Sequence, residues 1–127
     1  MYLDSSAAVK FVVREQESAA LAAFLPSEVR LTSSALLRTE MIRAVRRLEP
    51  RQIERARQAI AGFILHDLDT DILESATTAA PSSLRSLDAI HLATALRLAD
   101  ELDALVTYDR RMIEGARALG LRVASPA

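Results

Sequence analysis

The stretch Ala104-Leu105-Val106-Thr107-Tyr108-Asp109, "ALVTYD", decides how the chain is read. It begins with a continuous apolar run, the pattern of a strand buried on both faces of a parallel sheet. The spacing predicts a strand over 104–108, then Asp109, then a helix from about Arg110 to Leu119 that stops at Gly120. "LRVAS" follows as a last short strand. A strand that runs through an acid into a helix, and then into another strand, is the repeating step of an α/β sheet.

The same alternation fills the rest of the chain. "MYL" before Asp4 reads as the first strand. Ser5 and Ser6 are N-cap candidates for a helix whose stripe is Ala8, Val9, Val12 and Val13. A second helix, about Glu17 to Leu25, stops at Pro26. "VRLT" at 29–32 predicts the second strand, after which Ser33 and Ser34 cap a helix with Leu37, Met41, Ala44, Val45 and Leu48 on one side. Pro50 suits the first position of the next helix, to about Ala61, which Gly62 ends. "FILH" at 63–66 is a third, continuously apolar strand. A capping box over Asp71–Glu74 opens a short helix that runs to Pro81, and a long helix covers about Ser86 to Leu102. These elements predict a single three-layer α/β domain over 1–127, a parallel sheet flanked by helices.

Composition narrows the function. Half of the 127 residues are apolar, enough for a core, and with only 4% aromatics that core is built from Ala, Leu, Val and Ile. The formal net charge of −1 restricts any nucleic-acid contact to a local patch or to one bridged by cations. The absence of cysteine excludes disulfides, Cys zinc sites and thiol catalysis. No basic start leads into an apolar run, and no apolar run approaches membrane-spanning length, so a cytoplasmic protein without a membrane segment is expected.

Four acids stand out. Asp4 ends the first strand, Asp109 follows the fourth, and Asp88 lies in the first turn of its helix, in "RSLDAIHLATA" at 85–95. Singly, each is explained by capping or by the helix dipole, worth roughly 0.3–1 kcal/mol. Glu40 is placed about two turns into its helix, at the edge of the apolar stripe. There it either reaches water or pairs with Arg43 or Arg47, or else aims into a shared cleft. Ligands in parallel sheets bind beyond the C-terminal strand ends, where strand order reverses. If the first and fourth strands are neighbours, roughly 4.8 Å apart, Asp4 and Asp109 face each other there, and the helices bearing Glu40 and Asp88 start from the same edge. Close carboxylate pairs repel by about 4 kcal/mol at an effective dielectric near 20. A divalent cation is the natural compensation, and an oxygen-only set favours Mg²⁺ or Mn²⁺ over zinc.

Asp4-Ser5-Ser6-Ala7, Glu40, "LDAIHLATA" around Asp88 and "LVTYD" ending in Asp109 resemble, in order and spacing, the PIN domain, most closely the VapC toxins of bacterial toxin–antitoxin pairs. The resemblance runs from Met1 to about Val123 and implies a five-stranded parallel sheet in the order 3-2-1-4-5. It implies a Mg²⁺-dependent endoribonuclease acting on RNA, a cognate antitoxin that silences it, and a homodimer. By motif, Asp4, Glu40, Asp88 and Asp109 correspond to the acidic, metal-holding quartet, and Ser6 and Thr107 to hydroxyls that support the metal or its waters. Such an enzyme activates water on the metal for in-line attack on phosphorus, leaving a 5′-phosphate and a 3′-hydroxyl. His66 and His91 are the only histidines, which leaves little room for a metal-free two-histidine mechanism.

Other features compete. Asp67, Asp69 and Asp71 imitate a calcium loop, but counting from Asp67 the sixth and twelfth positions hold Ile72 and Thr78 instead of Gly and Glu. Loop and capping roles are expected for them. His91 either touches the edge of the site or packs, partly buried, on its helix. Seven arginines at 38, 43, 46, 47, 51, 55 and 57 form either a solvated face with local ion pairs or a phosphate-binding flank. The small-residue stretches Ala7-Ala8 and Ala19 to Ala23 are either partner surface or core. A receiver-type phosphoacceptor domain needs paired acids after the first strand and a late Lys, whereas here Asp4 stands alone and Lys10 is early. A haloacid-dehalogenase-type phosphatase needs a second Asp where Ser6 stands. A PIN fold that only binds RNA or protein is the remaining alternative, and the intact quartet argues against it.

Overall fold

The computed structural model describes residues 1–127. The chain order is β1 (Tyr2–Leu3), α1 (Ser5–Ala8), α2 (Ser18–Phe24), β2 (Leu31–Ser34), α3 (Leu37–Leu48), α4 (Ile53–Ala61), β3 (Phe63–His66), α5 (Thr70–Ala76), α6 (Ser86–Arg97), β4 (Leu105–Val106), α7 (Arg110–Ala118) and β5 (Val123–Ala124). Short 3₁₀ turns follow α1 and α6 and lead into α4. The five strands form one parallel sheet in the order β3-β2-β1-β4-β5, as the resemblance implied. Tyr2 pairs with Leu105 and Leu3 with Val106, so β1 and β4 are neighbours. The strand order reverses between them, and the cleft expected at that switch point opens beyond their C-terminal ends.

Successive side chains on a strand face opposite ways, and the two central strands fill the two layers accordingly. Tyr2 and Leu105 join Leu92, Met112 and Ala116 beneath α6 and α7. Leu3 and Val106 join Ala7 and Leu21 on the other face. A further cluster beside it holds Val9, Val12, Leu37, Met41, Val45 and Ile60. Leu37, Met41 and Val45, four residues apart along α3, are its fully buried stripe.

Several boundaries differ from the reading of the sequence. The second strand is Leu31–Ser34 instead of 29–32, because Ser33 is accommodated inside the sheet: its hydroxyl donates to Leu3 O at 2.6 Å. Ser33 and Ser34 therefore belong to β2, and the N-cap position of α3 falls on Leu36 without a side-chain cap. Glu40 consequently lies in the first turn of α3, not two turns in. The cap of α1 is Asp4 itself, with Ser5 and Ser6 inside the helix. The cap of α5 is Asp69, which accepts from Ile72 N at 2.9 Å, and the capping box at Asp71 does not form. Strand β3 is apolar yet lies at the sheet edge, where Ile64 is 49% exposed. The long helix stops at Arg97 instead of Leu102, and a 3₁₀ turn at Ala99–Glu101 follows.

Gly120, just after α7, has φ +78°, the left-handed conformation glycine adopts without strain. Gly115 is constrained by space. A Cβ there would lie 2.4 Å from Ala80 O and 3.1 Å from Leu92 Cδ2. The backbone carbonyl cannot yield cheaply, so overpacking costs about 3 kcal/mol, against a gain in helix propensity of about 1 kcal/mol. Gly115→Ala is expected to destabilise the fold by about 2 kcal/mol net, read as a lower urea midpoint.

Candidate active site

Asp4 leaves the C-terminal end of β1 and is buried, with 1% exposure. Three donors surround its carboxylate. Oδ1 accepts from Ser6 Oγ at 2.6 Å and from Ala7 N at 3.1 Å, and Oδ2 accepts from Thr107 Oγ1. The two hydroxyls are themselves fixed by backbone: Ser6 Oγ accepts from Tyr108 N at 3.1 Å and Thr107 Oγ1 from Asp109 N at 3.2 Å. Ser6 and Thr107 thus tie the ends of β1 and β4 together through Asp4. Burial pushes the Asp4 carboxyl above the ordinary carboxylate range, while the Ser6 and Thr107 hydroxyls and the nearby His91 pull it back.

The other three acids come from the same end of the sheet. Asp109 caps α7, accepting from Met112 N at 3.0 Å through Oδ1. Asp88, in the first turn of α6, is partly exposed, and its carboxylate accepts no hydrogen bond from the protein, unlike the other three. Burial raises the Asp88 pKa first, and the charges of Asp109, Asp4 and Glu40 raise it further, against an opposing pull from His91. Asp88 therefore lies within electrostatic reach of all three other acids. Glu40 is bound through both oxygens: Oε1 to His91 Nε2 at 2.6 Å and Oε2 to Ser5 Oγ at 3.3 Å.

Asp4, Glu40, Asp88 and Asp109 line one cleft of about 770 Å³, with Lys10, Arg43, Arg47 and Arg85 among its other walls. A separate pocket of about 470 Å³ beside α5 and α6 has no ionisable side chain in its lining and offers no acid–base chemistry. The carboxylates share the cleft without closing on a point: no three His, Asp or Glu side chains are gathered tightly enough to clasp an ion. The donor set nevertheless fits a hard divalent cation. It consists of oxygen alone, and Asp88 brings unpartnered carboxylate oxygens to the cleft.

Of the remaining sequence candidates, Asp69 lies outside the cleft. It pairs with Arg97, whose hydrogen bonds hold the Asp69 carboxyl down at about 2. None of the seven arginines between 38 and 57 forms an ion pair, so the local pairing considered for them is absent, and Arg43 and Arg47 present unpaired charge to the cleft. Lys10 is buried. Its ammonium sits 3.0 Å from Glu17, 3.5 Å from Glu15 and 4.6 Å from the Tyr108 ring centroid.

The sequence leaves His91 either at the edge of the site or packed, partly buried, on its helix; in the fold it is fully buried and bonded to Glu40 and to Tyr2. The periodicity of α6 hid this contact, although a lone ionisable residue amid "AI-LATA" one turn after Asp88 was the available signal.

Comparison with known proteins agrees with this architecture. The PIN domain family model matches residues 1–118. Ribonuclease VapC46 of Mycobacterium tuberculosis is 45% identical over 127 residues, covering 100% of this chain and 98% of that protein. Ribonuclease VapC47 of the same species is 40% identical over 131 residues, covering 99% and 96%. A chain of a toxin–antitoxin complex from Klebsiella pneumoniae superposes with a TM-score of 0.72 over 99% of this chain and 97% of that one, at 20% identity, a likeness of fold. Family match, relatives and the acid-lined switch point coincide: the chain belongs to the PIN domain family, among the VapC proteins.

Proposed function

We propose that the chain is a Mg²⁺-dependent endoribonuclease, with Mn²⁺ as an alternative ion, acting in the cytoplasm as the toxin of a toxin–antitoxin pair. The observation that carries this reading is the meeting of Asp4, Glu40, Asp88 and Asp109, from four distant segments, in one cleft that also bears unpaired arginines. The names of the VapC ribonucleases support RNA as substrate, and the toxin–antitoxin assembly of the structural neighbour supports an antitoxin as partner. A homodimer belongs to the same reading, since Leu96 and Leu119, each more than 40% exposed, leave an apolar groove that a second copy can cover.

Asp4, Asp88 and Asp109 would hold the cation, with Glu40 contributing directly or through water. When bound, the ion supplies Lewis acidity, which acidifies the attacking water and neutralises charge on the phosphate. Asp4 is fixed by its three donors and defines the floor of the site. Ser6 and Thr107 keep that carboxylate oriented. Arg43 and Arg47, one helical turn apart on the wall that carries Glu40, hold the flanking phosphates, the cationic contact that an acidic site needs to retain RNA.

The test is cleavage of a structured RNA by the purified protein. Cleavage with Mg²⁺, its loss in EDTA and its return with Mn²⁺ are expected. Equal cleavage in EDTA overturns the metal dependence, and no cleavage of any RNA overturns the nuclease. A second prediction concerns the arginines. Arg43→Glu combined with Arg47→Glu is expected to weaken RNA binding and to flatten the slope of log K against log salt by about 1.4, two phosphate contacts at roughly 0.7 each. An unchanged slope assigns these arginines to a solvated face.

A further inference from the structure

Two buried side chains behind the cleft wall have no part in the mechanism above. Tyr2 and His91 are both 0% exposed. Tyr2 Oη lies 2.7 Å from His91 Nδ1, and the rings meet edge to face at 82°. The other ring nitrogen, Nε2, lies 2.6 Å from Glu40 Oε1. This is the only hydrogen bond joining α3 to α6.

The chain of bonds has a direction. An ionised Glu40 only accepts, so Nε2 carries a proton. In the neutral ring Nδ1 is then bare and accepts, so the Tyr2 hydroxyl donates. Both nitrogens are used and neither is left for substrate. Asp88 and His91 sit one turn apart on α6, so a single helix supplies one carboxylate to the cleft and grips another that arrives from α3. Tyr2 precedes Asp4 by two residues on the central strand, which ties the orientation of the ring to the strand that delivers Asp4.

We propose that His91, its tautomer set by the Glu40 carboxylate and its ring anchored by the Tyr2 hydroxyl, is a positioning residue that holds the Glu40 carboxylate toward the shared acidic cleft. The inference rests on the cation site of the proposed function but not on RNA cleavage, because ring tautomer and ion binding are read without catalysis. Partners that orient a metal-holding group commonly alter affinity or rate by about 10–100-fold when removed.

The experiment begins with the metal-free protein. Long-range ¹H–¹⁵N NMR is simple to assign with two histidines in the chain. At a pH where the ring is neutral, His91 is expected to show a protonated Nε2 and a bare Nδ1. Tyr2→Phe should move the Nδ1 resonance, and Glu40→Ala the Nε2 resonance. Mn²⁺ affinity, titrated by electron paramagnetic resonance, is expected to fall about 10-fold in His91→Leu. His91→Gln, which retains an N–H near the Nε2 position, should recover most of it. In a Glu40→Ala background, His91→Leu should cause less than about a twofold further loss, since its partner is already gone.

The opposite tautomer, wild-type affinity in His91→Leu, or an undiminished loss in the Glu40→Ala background would each overturn the proposal. If His91→Leu does not fold, Tyr2→Phe and His91→Gln decide: the proposal fails if neither changes the ring resonances or the Mn²⁺ affinity. A wild-type protein that binds Mn²⁺ and shows the expected couplings but cleaves no RNA refutes the nuclease and leaves the positioning role standing. A wild-type protein that cleaves RNA with His91 in the opposite tautomer does the reverse.

Discussion

Asp4→Asn is expected to reduce RNA cleavage by at least about 100-fold while the protein stays folded. Groups that merely orient a metal ligand already account for about 10–100-fold, and Asp4, buried at the end of β1, is proposed as a ligand itself. The fold tolerates the change because Asn has the same shape. Its carbonyl oxygen can still accept from Ser6 Oγ and Ala7 N, the bonds Asp4 makes through Oδ1. Its amide then faces Thr107 Oγ1, which already accepts from Asp109 N and has a second lone pair to offer. The Thr107 hydroxyl proton loses its acceptor, but a desolvated charge disappears as well. Burial holds the Asp4 carboxyl above its ordinary range, so the folded state disfavours the anion. The two changes oppose each other, and stability should move by no more than about 1 kcal/mol. Initial rates with Mg²⁺, Mn²⁺ titration and a thermal melt separate the outcomes. A folded Asp4→Asn protein that cleaves at the wild-type rate removes the assignment.

The acids were legible in the sequence because their positions follow from local rules. Asp4 and Asp109 end strands, Asp88 opens a helix, and a parallel sheet brings such ends to one edge. Neighbourhood of β1 and β4 could not be derived from alternation alone; it came with the family resemblance. What the sequence hid is nonlocal. Ser33 reads as a helix cap, yet it lies inside β2 because Leu3 O accepts its hydroxyl. That shift moves the start of α3 and places Glu40 in its first turn. His91 reads as a packed residue of an apolar helix, yet its partners are 51 and 89 residues away. Strand β3 reads as buried because it is apolar, but only pairing order reveals it as an edge. The absence of ion pairs among the arginines was not legible either, and face or flank is decided by the salt dependence of RNA binding.

Asp88→Asn should separate function from stability more sharply than any other substitution. Cleavage is expected to fall at least about 100-fold, by the same reasoning as for Asp4, while the metal-free protein becomes more stable by about 1 kcal/mol. The sign follows from the pKa. A carboxylate in the first turn of a helix is ordinarily favoured by about 0.3–1 kcal/mol, yet Asp88 is raised above 3.8 by burial and by Asp109, Asp4 and Glu40. The dipole is therefore outweighed, and the ionised group opposes folding. Its partial exposure limits the effect, because solvent screens the repulsion. An acid whose folded pKa is raised holds more protons in the native than in the unfolded state. Stability then falls as pH rises from the unfolded value of 3.8 through the higher folded one. Asp4 adds a slope of the same sign. Asp69 and Glu17, whose pKa values are lowered, act oppositely, and their contributions are complete above about 3.8 and 4.5 respectively. Metal-free wild-type protein should thus lose thermal stability with rising pH above that range, and Asp88→Asn should lose less. Mn²⁺ should raise the melting temperature of the wild type, as any ligand of the native state does, and do little for Asp88→Asn. A metal-free variant no more stable than wild type at neutral pH, with the same pH slope, would mean that the four carboxylates do not repel one another in the folded chain and that the cleft has no need of a cation.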